Sequence, residues 1–354
     1  MKLKFVLIVC LLFMTQLVAS EPILSNHPNI QYTGRIDFSN SLAPVIFWPG
    51  TYIKANFEGT SLQVILDDST GTNFYNVIID NNVDDFLILY CRKGTHSYPV
   101  AVGLKDTIHH VMIFRRTEGF SGQTRFKGFI LDTGKSLADA PERPARKIEF
   151  YGNSITCGMG NEVPDHDEDE NNAKRNNYLA YGAITARNLN ADYTCIAKSG
   201  IGVLISWFDI IMPEYYDRLN PWKSDSKWDF TQWTPDVVVI NLFQNDSWLI
   251  KKLDPVPDEE QIIQAYLDFV ALIRNTYQDA NIICTLGSMD AVADSSAWPG
   301  YVQKAVDRFK DEQDDQKIDA LFFAFDGTYK HPRVRHHEAM ADKLTAFIKD
   351  KLNW

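Results

Sequence analysis

Basic residues run short in this chain of 354 residues: 35 lysines and arginines stand against 46 acids, a net charge of −11. An acidic surplus repels phosphate backbones, so nucleic acid is excluded as the main partner. Cysteine is scarce too. Of five, Cys10 lies in an N-terminal apolar run, and Cys91, Cys157, Cys195 and Cys284 remain. Four thiols make no disulfide scaffold. They form no CxxC spacing and no Cys/His cluster of zinc type, so no metal and no cofactor is expected. Buried free thiols are the expectation, with Cys157–Cys195 as the one pairing to check. Beyond the first twenty residues there is no apolar run long enough to span a bilayer and no amphipathic membrane-binding helix.

Those first twenty residues read as a signal peptide. Lys2 and Lys4 precede the apolar stretch Phe5 to Leu17, and Val18-Ala19-Ser20 supplies the small residues of a cleavage site. A secreted or periplasmic protein, without membrane insertion and monomeric, is the expectation for residues 21–354.

Two textures follow. Residues 21–140 hold short alternating runs, such as Ile53 to Phe57, Leu62 to Leu66, Phe74 to Ile79 and His110 to Phe114, separated by Gly, Asn and Asp turns. That is the pattern of an antiparallel β-sandwich or jelly roll. Ala140-Pro141-Glu142-Arg143-Pro144 breaks the chain. Residues 145–354 then alternate strands and helices, which predicts an α/β domain with a parallel sheet. Strands are predicted at Ile148 to Tyr151, Tyr193 to Ala197, Val237 to Leu242, Ile282 to Leu286 and Leu321 to Phe325. Helices are predicted at Tyr178 to Leu189, after Asp258 with Gln261 completing a capping box, and at the C-terminus. Glu162 to Glu170 carries six acids in nine residues and reads as a solvated loop. Asp165, Asp167 and Asp169 alternate like the start of a calcium loop, but the required Gly and distal Glu are missing.

Ligands of parallel α/β sheets bind outside the carboxyl ends of the strands. Ser154 follows the first strand, at the start of a helix where N–H groups favour developing negative charge. Gly200 and Gly202 follow the second strand, Asn245 the third, and His331 the last, with His336 and His337 expected in the loop before the final helix. Each has an ordinary reading as a cap, a turn or a solvated loop residue. Together the order Ser, Gly, Asn, His resembles the SGNH (GDSL-type) hydrolases. Lys147 to Gly160, Tyr178 to Ala183 and Arg115-Arg116-Thr117-Glu118 resemble carbohydrate esterase family 2 more closely, and the likeness covers nearly the whole chain after the signal segment.

The resemblance implies an N-terminal jelly roll, a carbohydrate-module-like domain over residues 21–140, ahead of a three-layer α/β/α SGNH hydrolase domain. It also implies removal of acetyl groups from polysaccharides such as xylan, mannan or glucomannan. Ser154 would be the nucleophile and His331 the base. Ser154 N–H, Gly202 N–H and the Asn245 side chain would form the oxyanion hole, with Gly200 as the alternative glycine. Three positions depart from the pattern. Asn153 replaces the usual aspartate of the first block, and Phe243-Gln244 replace the usual Gly-Thr before Asn245. Thr328 stands where many relatives carry an aspartate, so a Ser-His dyad steadied by a backbone carbonyl is expected, with Asp326 as a possible helper. Trp248 and Trp298 are the candidate sugar platforms, and Trp207, Trp222, Trp228 and Trp233 crowd one loop-rich region. An esterase for another acyl ester and a non-catalytic carbohydrate-binding relative are the competing readings.

Overall fold

The structure is a computed structural model that describes residues 20–354 apart from 166, 170, 326, 328 and 329. The expected signal segment therefore lies almost wholly outside the described residues. So do Asp326 and Thr328. Among the described residues no helix is long and apolar enough to cross a membrane.

Alternation of buried and open positions along Tyr52–Gly59 and Leu62–Asp68 is the signature of strands with one face inward. Those faces build a two-sheet antiparallel sandwich. One sheet runs Gln31–Thr33, Tyr52–Gly59, Thr107–Arg115, Phe74–Ile79, Leu87–Tyr90 in spatial order. The other runs Ile36–Asp37, Val45–Ile46, Thr124–Leu131, Leu62–Asp68, Gly94–Ala101, with Ile23–Leu24 also paired to Thr124–Leu131. Ile53, Ala55 and Phe57 of the first meet Leu62, Val64, Leu66 and Phe129 of the second in a dry core.

The second domain is a five-stranded parallel sheet. Its strands are β1 (Arg146–Gly152), β2 (Ala191–Ala197), β3 (Val237–Asn241), β4 (Asn281–Leu286) and β5 (Ile318–Phe322), in the order 2-1-3-4-5. Every residue of β3 is buried, as a central parallel strand covered on both faces requires. One face packs on α4 (Glu259–Thr276) and α5 (Trp298–Gln313), through Tyr266, Phe269, Val302 and Phe309. The other packs on α2 (Tyr181–Asn188) and α6 (Val334–Leu352), through Ala183, Met340, Leu344 and Ile348. The result is three layers. The capping box of α4 forms as read, Asp258 Oδ1 accepting Gln261 N–H and Gln261 Oε1 accepting Asp258 N–H, both at 2.9 Å.

Several expectations need correction. The helix predicted from Tyr178 begins at Tyr181, because Asn176 caps a separate 3-10 turn over Asn177–Leu179 and Ala180 is extended. The last strand lies at Ile318–Phe322 rather than Leu321 to Phe325. Its pairing starts at Ile318 opposite Ile282, and Asp319 sits on this edge strand because Lys310 and Lys351 neutralise it. His336 and His337 are not in a loop but in the first turn of α6, where His336 Nδ1 accepts Arg333 N–H at 3.2 Å. His337 is fully buried, accepts the N–H of Tyr181, and is kept neutral by burial, which drives its pKa down to about 3. Cys157 and Cys195, by contrast, are the free, buried thiols expected, and the pairing to check is not formed. Glu118 holds the Cys157 Sγ at 3.6 Å, and Asn177 donates to that of Cys195.

Candidate active site

Four connections leave the carboxyl ends of the parallel strands with the predicted residues on them. Gly152 ends β1 so close to the next turn that an added Cβ would lie 1.9 Å from Thr156 Oγ1. That contact brings α1 (Ser154–Cys157) tight against the sheet. Asn153 Oδ1 accepts the Ile155 N–H at 3.0 Å and caps α1, the service an aspartate would perform there. Ser154 itself is 6 % exposed, and its N–H has no acceptor among the described residues.

β2 feeds the loop Lys198 to Ile205. Gly200 holds φ +85°, a left-handed conformation costly for other residues, and its N–H meets no acceptor among the described residues. Gly202, the glycine first favoured for the oxyanion hole, has its N–H committed to Ser206 Oγ at 3.0 Å. The free donor of this loop is therefore at Gly200.

Asn245 lies on α3 (Gln244–Leu249). Its Nδ2 donates to Ile201 O at 2.8 Å and its Oδ1 accepts Trp207 Nε1–H at 3.1 Å. Two partners fix the amide, and among the described residues one of its two N–H donors has no acceptor. Next to it, buried Asp246 accepts N–H groups from Val203, Leu204 and Ile205 at 2.9, 2.7 and 3.2 Å. Burial pushes its carboxyl up to about 6, against the pull of those donors. Glu118, from the sandwich domain, receives Ser199 N–H and Oγ–H at 2.7 and 2.6 Å and pairs with Arg175. Sequence reasoning quoted Glu118 within a segment but did not see either acid as a clamp on this loop, since both meet it only through the fold.

His331 is reached from β5. Its Nδ1 lies 2.9 Å from Asp169 Oδ2, and the same oxygen accepts the His331 N–H at 3.0 Å. The dyad expectation placed a backbone carbonyl on this ring; a carboxylate stands there instead, delivered by the loop read as merely solvated. The three alternating aspartates do not converge as a calcium loop would. Asp165 pairs with Arg335 and Asp169 with His331 and Arg333, and no group of three His, Cys, Asp or Glu among the described residues could hold a metal. The His331 segment packs on the turn after α1: Arg333 Nη1 donates to Gly160 O and Val334 N–H to Asn161 O, both at 3.0 Å.

Of the candidate platforms, Trp248 lies on α3 with its indole N–H on Asp290, and is 40 % exposed. Trp298 is the first residue of α5, and its ring packs on Phe243 and Tyr301, so it serves the core. Trp207 and Trp222 are more open than either, at 58 % and 56 %. Trp207 is tied directly to Asn245. Trp222 shares the Lys198 ammonium with Phe208 and Phe120.

The three-layer parallel-sheet domain with this run of strand-end residues has the SGNH hydrolase fold, and an antiparallel sandwich precedes it. A model described as Carbohydrate esterase 2 N-terminal matches residues 32–141. The cellulase/esterase CelE of Acetivibrio thermocellus is 36% identical over 338 residues, 93% of this chain; the chain spans only 40% of that protein's length. An acetylxylan esterase / glucomannan deacetylase of Cellvibrio japonicus is 26% identical over 95% of this chain and 92% of its own. A family two carbohydrate esterase from Clostridium thermocellum, solved in complex with cellohexaose, superposes with a TM-score of 0.84 at 34% identity, covering 92% of this chain and 99% of that one. The chain belongs to carbohydrate esterase family 2.

Proposed function

We propose that this chain removes O-acetyl groups from plant-wall polysaccharides of the xylan, mannan or glucomannan type, by acyl transfer through Ser154. His331, through Nε2, takes the Ser154 hydroxyl proton as Oγ attacks the acetyl carbonyl. The tetrahedral oxyanion is met by Ser154 N–H, Gly200 N–H and the uncommitted Asn245 N–H, each such donor contributing roughly 3 kcal/mol to the transition state. The proton returns to the leaving sugar oxygen. Water, deprotonated by His331, then releases acetate from the acetyl-serine.

The observation that carries this reading is the pair of free backbone donors at Ser154 and Gly200 beside a held asparagine amide. Such donors are built for negative charge that arrives only during reaction. The open rings of Trp207, Trp222 and Trp248 around this edge supply faces on which sugar rings stack. A secreted location follows from the N-terminal segment and belongs to the same proposal. A serine-directed sulfonyl fluoride tests the nucleophile: wild type should gain one sulfonyl mass on the peptide holding Ser154, and His331→Ala should react far more slowly. Labelling elsewhere, or none, would contradict the assignment.

A further inference from the structure

The described residues of the acidic stretch, from Glu162 to Asp169, are stitched to their surroundings at several points. At its start, Glu162 receives the guanidinium of Arg116, a residue of the sandwich domain, and the amide of Asn176. Further along, Lys330 reaches Asp167 O and Glu168, and Arg335 reaches Asp165. At its end, Asp169 is tied on both oxygens. Oδ1 pairs with Arg333, whose guanidinium also holds Gly160 O, and Oδ2 holds His331 twice, at ring Nδ1 (2.9 Å) and backbone N–H (3.0 Å). Each half of this clamp would be ordinary alone. Together they fix the position of the His331 backbone and the rotation of its ring with one carboxylate.

We infer that Asp169 is the positioning residue for His331, a third member of the relay contributed by a loop 162 residues upstream rather than by the turn before the histidine. The inference rests on the Ser154–His331 reading above. A carboxylate accepts only, so Nδ1 must be the protonated nitrogen and Nε2 keeps the lone pair that receives the Ser154 proton. When that proton arrives the imidazolium is balanced by Asp169, which stays ionised throughout and takes no proton. Asp169 is 14 % exposed, which leaves the pair less screened than a surface ion pair. Among the described residues the other charged groups around the ring do not replace it. Arg333 adds positive charge at His331 O, 3.1 Å away, His337 is neutral behind it, and Glu168 is spent on Lys330.

The test uses the full chain, with acetate release from a small activated acetate ester and from acetylated xylan. Five variants are compared with wild type: Asp169→Asn, Asp169→Glu, Ser154→Ala, His331→Ala, and Asp169→Asn combined with His331→Ala. Asparagine offers an N–H to Nδ1 and favours the wrong tautomer, so kcat should fall at least a hundredfold with KM changed less than threefold, and glutamate should restore part of the loss. Losing the anion should also move the acid limb of the kcat/KM profile, which reports the free histidine, to lower pH by about one unit. In the His331→Ala background the Asp169→Asn change should cost less than threefold. A kcat within twofold of wild type and an unmoved acid limb would overturn the inference while leaving the esterase reading intact. A loss shared by KM and melting temperature, with the limb unmoved, would reduce Asp169 to a structural tie and overturn it too. If Ser154→Ala and His331→Ala retain wild-type rates, the esterase reading falls first and this inference with it.

Discussion

Phe243 shows what single residues contribute to the site. It immediately precedes α3 with φ +80° and ψ −11°, in the left-handed region that suits glycine, at a cost of order 1–3 kcal/mol for another residue. Its ring is fully buried against Tyr266 and Trp298, which offsets that cost by packing. The departure noticed in the sequence thus has a physical answer: a turn of glycine type precedes α3, and the ring that sits there is packed into the core against Tyr266 and Trp298. Truncation should lose about 3–5 kcal/mol of packing. At this φ, however, the usual order of small residues reverses, so Phe243→Gly should be more stable than Phe243→Ala by about 1 kcal/mol. Denaturant melts of the two variants decide it, and an alanine variant as stable as the glycine one would refute the strain. At this scale the places of Ser154, Asn245 and His331 after strands of the parallel sheet were legible because those strands have their own pattern. The glycine register was not. Gly200 and Gly202 are equivalent in sequence, and the hydrogen bond from Gly202 to Ser206 separates them.

Elements with their own periodicity were legible almost to the residue. The alternating strands of the sandwich and the capped helix α4 follow local rules, and Phe74–Ile79 has the bounds the pattern predicts. Elements that depend on distant partners were misread. Composition described the acidic loop as solvated, yet Asp165, Glu168 and Asp169 are held by residues 162 to 170 positions away in sequence. Charge runs carry no mark of their partners. A consequence in pH follows for this loop. Burial alone would raise Asp169, but its hydrogen bonds from His331 and Arg333 hold it well below the ordinary carboxylate range. A depressed folded value favours the charged form in the fold. Its stabilisation is therefore present above the unfolded value near pH 4 and is lost as pH falls below it. The stability of wild type should drop more steeply than that of Asp169→Asn as pH is lowered from about 4, by chemical denaturation at fixed temperature. Parallel curves for the two proteins would show that this tie is not formed.

Across the whole molecule, the sandwich reaches into the hydrolase domain through buried charge. Arg35 donates to Glu149 and Tyr151 at the heart of β1 and to two carbonyls beyond. Glu149 also accepts from Thr194 and Tyr277. Arg115 spends its guanidinium inside the sandwich, fixing the segment that presents Arg116 and Glu118 to the loops beside Ser154 and Gly200. Removing one partner of such a buried pair leaves a charge without compensation, which typically costs 3–5 kcal/mol. The sandwich thus helps to hold the loops that carry the candidate site. Neither composition nor spacing could disclose this, since these contacts join residues that no local pattern relates. The central claim, Ser154–His331 deacetylation of a wall polysaccharide, is tested most directly by acetate release from acetylated xylan and acetylated glucomannan, comparing wild type with Ser154→Ala and His331→Ala. The account predicts release by wild type on at least one polymer and loss of nearly all of it in both variants. A wild-type protein inert on both polymers and on a small activated acetate ester would contradict it and leave a carbohydrate-binding relative without catalysis.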